Sequence, residues 1–479
     1  MLTVGLVDAN EKAGREWAGI ASSVIGGWLR WEAERVGLSF GSPATADVVL
    51  LVFAGALDYI ENTARELRRV GIDPDSARRQ GRPYIITGGP IDATPLTALS
   101  IADALAVGEA YAFIRMLFQM IVGGAAVEDI QAWVTEYPHA IERGQVAGLA
   151  RDPRHPWLLA KTAPKLARPD TYIDWGVPPV RSDDKVVRVI GSKGCHFKCT
   201  FCATTYRQTY QRNENEGQVL GTLAALKKRG ERVQIVSNDP LNLPYYRRIK
   251  TRLDSQSFTV QEMQDADNRR AVIRAGIGIA RFGVEGISER IRKAFAKPIA
   301  NDELLAILAE LHAHKVNTHM FFIVGAPYET TDDWQELREF YARLATTIRS
   351  GICRIKLTTF VNTPPAPLAR YVPGLMYEQE QARFRDWVSG NAASRHLVYV
   401  RGRGGKTHLA NVAEQLAVPV TVVTPLAASA CVDLAPTLEE ARRLTWEVVE
   451  WPLPVELRWR MGEVYRKKMA GTTQQTQRE

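Results

Sequence analysis

Three of the chain's five cysteines fall within eight residues, in GCHFKCTFC at 194–202, directly after a strand-like run, Val186–Ile190. Three thiols in one loop add nothing to a hydrophobic core, so Cys195, Cys199 and Cys202 read as a ligand set. Three thiolates suit an iron–sulfur cluster or part of a zinc site. The loop also opens a regular alternation that runs to about residue 362. Its candidate strands are Val186–Ile190, Val233–Val236, Phe258–Met263, Ile277–Phe282, His319–Val324 and Ile355–Phe360. Helical patterns lie between them, clearest at Val219–Lys228, Asp302–His314 and Asp332–Arg349, the last opened by the capping run Thr330-Thr331-Asp332-Asp333. Six strand–helix units predict a partial (β/α)6 barrel, and in barrels the chemistry sits on the loops after the strands. The cysteine loop occupies such a place.

A second alternation precedes it. Apolar runs at Leu2–Val7, Val48–Phe53, Tyr84–Ile86 and Leu105–Val107 are interleaved with helical patterns at Glu11–Arg35 and Ile60–Val70. The pattern predicts an N-terminal Rossmann-like parallel sheet over 1–145, covered on both faces. Ligands of such sheets bind at the carboxyl ends of the strands, which here carry Asp8-Ala9-Asn10, Gly55, Gly88-Gly89 and Gly108-Glu109. Residues 146–184 are rich in proline and charge and read as a surface linker. The barrel takes 185–370. A small mixed C-terminal α/β domain takes 371–479, with a strand at His396–Val400, a helix at Thr407–Leu416, a strand at Val418–Val423 and helices at Arg442–Val448 and Val455–Met469. The last ten residues read as a disordered tail. The whole is an α/β protein.

At 479 residues the chain exceeds one ordinary core, and 46% hydrophobic with 24% charged residues is a globular composition. The N-terminus lacks the pattern of a signal peptide, and the longest apolar stretch, 46–57, is too short to span a bilayer, so no membrane role is expected. Cys353 and Cys431 are far apart, which fits a reducing, cytoplasmic setting without disulfides and a packing role for both. The net charge of +8, with arginine clusters at 78–82, 247–252 and 401–403, fits either a solvated arginine-rich surface or a phosphate-bearing partner such as nucleic acid.

The spacing C-x-x-x-C-x-x-C, with Phe201 before the last cysteine, resembles the radical S-adenosylmethionine superfamily. The resemblance implies a [4Fe–4S] cluster held by Cys195, Cys199 and Cys202, with one iron left open to the amino and carboxylate groups of S-adenosylmethionine and Phe201 lining the cofactor site. It also implies an external electron donor of the flavodoxin or ferredoxin kind. Zinc is the competing assignment, with His196 as fourth ligand. Adjacent Cys195 and His196 fit one tetrahedral ion poorly, and no second C-x-x-C pair exists. Further stretches match the superfamily at successive strand ends. Ser237-Asn238-Asp239-Pro240 stands in place of its Gly-Gly-Glu motif, which makes Asn238 and Asp239 candidates for the methionine amine. Gly283-Val284-Glu285-Gly286 resembles the ribose- and carboxylate-contacting segment, with Glu285 the polar contact. Phe322–Thr330, FIVGAPYET, resembles the Gly-x-Pro-x-Glu-Thr ending that packs Gly325 and Ala326 near adenine. No catalytic residue is singled out.

A Rossmann-like domain ahead of this barrel resembles the cobalamin-binding subclass, many of whose members are methyltransferases that use S-adenosylmethionine as both radical source and methyl donor. Ala106-Val107-Gly108-Glu109-Ala110 resembles the Val-Gly-Glu turn of such domains. The Asp-x-His-x-x-Gly loop that supplies a lower cobalt ligand is absent: Asn10 stands where histidine would, and the first histidine is His139, beyond the sheet. No cysteine precedes Cys195, which removes the methylthiotransferases, and one cluster is expected. The alternative within the superfamily is a cobalamin-independent enzyme that modifies a nucleotide or nucleic-acid base. A third class is an iron–sulfur or zinc module that binds nucleic acid. The substrate is a small molecule or of nucleotide type, with Gln264, Asp265 and Asp267, or Lys356 and Thr358, as candidate lining residues. Arg401–Thr407 approximates a phosphate loop whose first glycine is replaced by Val400.

Overall fold

The computed structural model describes residues 2–9, 20–53, 59–79, 82–89, 95–149, 158–159, 167–181, 185–250, 252–253, 255–361, 363–373, 376–391, 396–400, 431–444 and 446–475. Its first sheet contains β1 (Val4–Asp8), β2 (Val48–Val52), β3 (Tyr84–Thr87), β4 (Ala104–Ala106) and β5 (Ala140–Glu142), in that spatial order. β1 to β4 are parallel, and β2 and β3 are buried at every position, which matches their unbroken apolar runs. β5 runs antiparallel to β4, a departure from the all-parallel expectation. After the helix Ile20–Arg35 the chain returns to the outer edge of β1, where Gly41 bridges Gly5 in parallel and donates to the Val4 carbonyl at 2.8 Å. It then crosses to β2. The direction of winding therefore reverses between β1 and β2. Trp28 and Leu29 pack with Leu50 and Ile86 on one face, whereas Leu67 and Leu99 pack with Leu51 and Ile85 on the other. A doubly wound sheet binds ligands at such a reversal.

The second half contains β6 (Val180–Arg181), β7 (Val186–Ile190), β8 (Ser192–Lys193), β9 (Gln211–Arg212), β10 (Arg232–Val236), β11 (Ser255–Thr259), β12 (Ile279–Gly286), β13 (Asn317–Val324), β14 (Cys353–Thr359), β15 (Tyr371–Pro373), β16 (Leu397–Val400) and β17 (Cys431–Asp433). β7 pairs in parallel with β10, and β11, β12, β13, β14 and β16 form a parallel series. Between β10 and β11 the ladder lapses, and the buried Gln256 amide bridges it by donating to the Ile235 carbonyl at 3.0 Å. The result is the open parallel barrel that the alternation predicts. Alternate residues such as Phe282, Met320, Phe322 and Leu357 face the helices and join Leu308, Trp334 and Leu344 in the main core. Their neighbours in sequence, including Arg281, Glu285, His319, Phe321, Lys356 and Thr358, lie on the opposite face.

Several boundaries differ from expectation for local reasons. The strand expected over Phe258–Met263 stops at Thr259, because Thr259 and Glu262 form a capping box that starts the helix Val260–Gln264. Asp265 caps the next helix, Ala266–Arg274, and Gln264, Asp265 and Asp267 are exposed, so they line no interior pocket. The helix expected over Arg442–Val448 is Leu438–Arg442 instead, and the final helix runs from Val455 to Gln475, through most of the expected tail. The expected helix Thr407–Leu416, the strand Val418–Val423 and the loop Arg401–Thr407 lie outside the described residues.

The proline-rich stretch is no solvated tether where it is described. Leu158, Leu159, Ala167 and Ile173 are buried, Leu158 bridges Leu444, and Ala167 bridges Val449. The C-terminal residues are shared between both cores. Tyr377, Phe384, Tyr465 and Met469 join the barrel core, whereas Val448, Val449 and Trp451 join the core under the first sheet. Arg458 clasps Glu447 through two bonds of 2.7 and 2.6 Å. Among the described residues no helix is long and apolar enough to cross a membrane.

Candidate metal and cofactor site

The cysteine loop leaves the carboxyl end of β7 and is tied down by backbone and side-chain bonds. The Cys202 amide donates to the Cys199 carbonyl at 3.2 Å, the Thr205 hydroxyl donates to the Cys195 carbonyl at 3.0 Å, and Tyr206 donates to the Lys198 carbonyl at 3.2 Å. Cys199 is buried, and Cys195 and Cys202 are partly so. Burial pushes the thiols of Cys195 and Cys199 up to about 12. Without a cation they hold their protons, and iron binding would displace them. Among the described residues no three His, Cys, Asp or Glu side chains converge on a single-ion site. Zinc needs four ligands at about 2.0–2.3 Å from one point. A multi-iron cluster takes its thiolates on separate metal atoms, and the three-cysteine donor set fits it. His196 turns Nδ1 to Asp239, so the proposed fourth zinc ligand is engaged elsewhere.

The two halves of the chain meet at this loop. Glu109, in the turn after β4, pairs with Lys193 Nζ at 3.0 Å. With the Gln208 amide oriented to satisfy both neighbours, its nitrogen donates to Glu109 at 2.8 Å and its oxygen accepts from the Gly194 amide at 2.6 Å. Arg207 donates to the Gly89 carbonyl, after β3, at 3.4 Å. The carboxyl edge of the first sheet thus faces the cysteine loop. His139 also lies at that edge, because β5 runs antiparallel: its carbonyl accepts from the Val107 amide at 2.8 Å, and its Nδ1 lies 2.7 Å from the Arg168 carbonyl. Residues 10–19, 54–58 and 90–94, which follow β1, β2 and β3, lie outside the described residues. Glu109→Gln leaves Lys193 partly buried without its anion. The expected cost is about 1–2 kcal/mol, read as a lower urea midpoint, and an unchanged midpoint contradicts the contact.

With this geometry in place, a family model described as Radical SAM superfamily matches residues 189–341, which span the cysteine loop through the helix after β13. Residues 189–341 of the chain are thus similar to the radical SAM superfamily. Its fold is similar to that of the radical S-adenosylmethionine methyltransferase TsrM from Kitasatospora setae, solved with cobalamin and a [4Fe-4S] cluster bound. That likeness has a TM-score of 0.50 and 14% identity, and covers 74% of each chain. It is also similar to the cobalamin-dependent S-adenosylmethionine radical enzyme OxsB with aqua-cobalamin bound, at a TM-score of 0.50 and 14% identity, over 73% of this chain and 53% of that one. The chain therefore spans about half the length of OxsB. No curated protein matches the sequence.

Within the radical SAM domain the expected cofactor residues come to the same end of the strands but play different parts. Asn238 donates to the Gly194 carbonyl at 2.8 Å and so steadies the cysteine loop. Asp239 is fully buried, with His196 on one oxygen and the Ser192 and Ser237 hydroxyls at 3.4 and 3.3 Å on the other. Phe201 packs on Phe295 with ring centroids 4.7 Å apart. Glu285 sits at a bulge in β12 with φ of 70° and pairs with Lys297 at 3.2 Å. Gly325 has φ of 75°, and an added Cβ would lie 2.7 Å from the Tyr377 ring, so the turn admits no side chain. The amides of Gly325 and Ala326 both donate to Glu329, at 2.9 and 3.2 Å. Those two donors are thereby spent inside the protein. Lys356 and Thr358 lie partly exposed on the interior face of β14.

Two buried charged positions near the site escape the motif patterns. Lys297, nearly buried beside the cysteines, follows β12 by a helix and a turn, and nothing local in AFAKPIA marks it. Glu329 is visible as the motif's glutamate, but its role as an internal clamp is not: its second oxygen accepts from Trp334 Nε1 at 2.7 Å. Burial, reinforced by Asp333, pushes Glu329 up to about 8 from an ordinary 4.5. The folded chain then keeps that proton up to about pH 8, whereas the unfolded chain releases it near pH 4.5. Over this window the native state binds more protons, so the Glu329 contribution to stability falls as pH rises and levels off above 8. The Glu329→Gln variant is expected to flatten the decline in thermal midpoint between pH 5 and 8. An equally steep decline contradicts the assignment.

Proposed function

We propose that this radical SAM enzyme is a cobalamin-dependent methyltransferase of the cytoplasm. The observation that carries this reading is the apposition of the Val-Gly-Glu turn, through Glu109, to Lys193 and Gln208 at the cysteine loop. A ligand at the winding reversal of the first sheet would lie on the edge that faces the cluster loop. Supporting it are the likenesses in fold to TsrM and OxsB, both solved with cobalamin bound.

Cys195, Cys199 and Cys202 would hold the cluster, and the carboxyl ends of β10, β12 and β13 would hold S-adenosylmethionine. When bound, the cluster supplies the electron that cleaves S-adenosylmethionine, and cobalamin supplies a methyl carrier. The residues of the chain position these groups: Asn238 and Thr205 fix the loop, and Lys297 and Glu285 set the charge beside it. No histidine stands at position 10, so this reading takes cobalamin without a lower ligand from that loop. A small-molecule or nucleotide-type substrate would enter the barrel interior past Lys356 and Thr358, and a flavodoxin- or ferredoxin-like protein would deliver electrons. The net charge of +8 supports a phosphate-bearing substrate, nucleic acid included.

Purification with added cobalamin, followed by absorbance of the bound vitamin, tests the reading. It expects about one equivalent, together with transfer of a labelled methyl group from S-adenosylmethionine. A stoichiometry near zero overturns it in favour of the cobalamin-independent radical enzyme.

A further inference from the structure

We propose that the interior face of the barrel binds a phosphate group of the substrate, at a site built by Arg281, His319, Arg354 and Lys356. This rests on the reading of the barrel interior as the place where substrate enters, and it names the chemical class. The placement comes from strand register. Arg281 on β12 stands opposite His319 on β13, and Arg354 on β14 stands on the other side of His319. Lys356 stands opposite Phe321, one interior position further along. Neighbouring strands lie about 4.8 Å apart and alternate residues share a face, so the four side chains form one patch. The His319 ring stacks on Phe321, with centroids 4.4 Å apart and planes 25° apart. Its Nε2 is buried and has no hydrogen-bond partner among the described residues. A buried polar atom without a partner is costly, and a ligand oxygen at this patch would complete its bonding.

The charge balance of the patch sets the sign of the ligand. On β12, β13 and β14 the interior positions carry one carboxylate, Glu285, and it pairs with Lys297 at 3.2 Å. Burial, and then the cations Arg281, Arg354 and Lys356, push the His319 imidazole down to about 4 from an ordinary 6.5. The ring is therefore neutral at pH 7 and offers one N–H beside the three cations. Cations gathered on neighbouring strands repel one another, and an anion between them relieves that cost. A carboxylate carries one charge, whereas a phosphate monoester brings about −1.5 to −2 and three acceptor oxygens. The phosphate matches the patch better. Depth adds a constraint on length. His319 stands five residues before Val324, the end of β13, and Lys356 three before Thr359, the end of β14. At about 3.3 Å per residue the patch lies roughly 10–17 Å below the mouth from which the cysteine loop leaves β7. The substrate is therefore elongated, with its phosphate remote from the reacting atom.

The test is isothermal titration calorimetry of the full-length, reconstituted protein with phenyl phosphate, and with benzoate as its carboxylate counterpart, at about 0.15 M salt to screen exposed charges. Phenyl phosphate is expected to bind saturably at about one equivalent, and benzoate at least about tenfold more weakly. Arg281→Gln and Lys356→Met are each expected to weaken phenyl phosphate at least about tenfold, the scale of a lost charge-assisted hydrogen bond. Lys356→Arg is expected to keep most of the affinity, and Lys228→Met, an exposed position on the outer helix Glu216–Lys228, all of it. No saturable binding, benzoate bound as tightly, or wild-type affinity in Arg281→Gln and Lys356→Met overturns the proposal. If Arg281→Gln fails to fold, Lys356→Met decides: a tenfold loss supports the site, and unchanged affinity overturns it. A cobalamin stoichiometry near zero overturns the methyltransferase reading and leaves this site standing, whereas absent phenyl phosphate binding overturns the site alone.

Discussion

Single replacement of Cys195, Cys199 or Cys202 by alanine is expected to reduce bound iron after reconstitution to background and abolish reductive cleavage of S-adenosylmethionine. In the proposed cluster each thiolate would ligate a separate iron, so a cluster left with two protein ligands would expose two metal atoms to solvent and chelators. The loss should exceed anything a stability change produces. Cys353 provides the control: it is fully buried in the barrel core, and burial pushes its thiol up to about 12. It packs as a small apolar residue, and Cys353→Ala should keep full iron while costing about 1 kcal/mol for the lost sulfur. Iron loss in Cys353→Ala, or iron retention in any of the other three, contradicts the ligand set.

The largest stability effect is expected at Gly108. Its φ of 91° already disfavours a side chain, and an added Cβ would stand 2.3 Å from the Asp170 carbonyl oxygen and 2.4 Å from its amide nitrogen. Both atoms are backbone, so no rotamer change relieves the overlap. They are also bonded, with Asp170 N donating to Val107 and Glu109 N donating to Asp170, each at 2.9 Å. Gly108→Ala must therefore break this pairing and shift Glu109 away from Lys193. The expected cost is about 3–5 kcal/mol, within the range for backbone strain plus a steric clash. Gly124 separates the two causes. It has a similar φ of 86° with nothing within 4 Å of an added Cβ, so Gly124→Ala should cost only about 1–2 kcal/mol. Urea unfolding of both variants reads the difference, and equal midpoints would show that the Asp170 contact carries no weight.

What was legible in the sequence follows from how local each feature is. Strand periodicity gave Val186–Ile190 without error, and the cysteine spacing marked a stretch that the radical SAM family model matches, because both are written in consecutive residues. The end of β11 was missed because the Thr259–Glu262 capping box outcompeted an apolar run that fits a strand or a helix equally well. The edge position of His139 depended on the direction of β5, and a three-residue strand carries no direction in its composition. Proline and charge in 146–184 suggested solvent, yet Leu158 bridges Leu444, and Leu159 and Ala167 pack with Val448, Val449 and Trp451, hundreds of positions later. Lys297 and the Glu109–Lys193 contact share that cause. Each joins segments whose proximity is a product of the fold, and a motif sees only one of them.

The central claim is an iron–sulfur cluster whose open iron receives S-adenosylmethionine. The most direct measurement is electron paramagnetic resonance of the reconstituted, one-electron-reduced protein, recorded with and without S-adenosylmethionine. The expected result is a reduced-cluster signal that changes shape when S-adenosylmethionine is added and is absent in the Cys199→Ala variant. A signal indifferent to S-adenosylmethionine, or one that survives in Cys199→Ala, would contradict it.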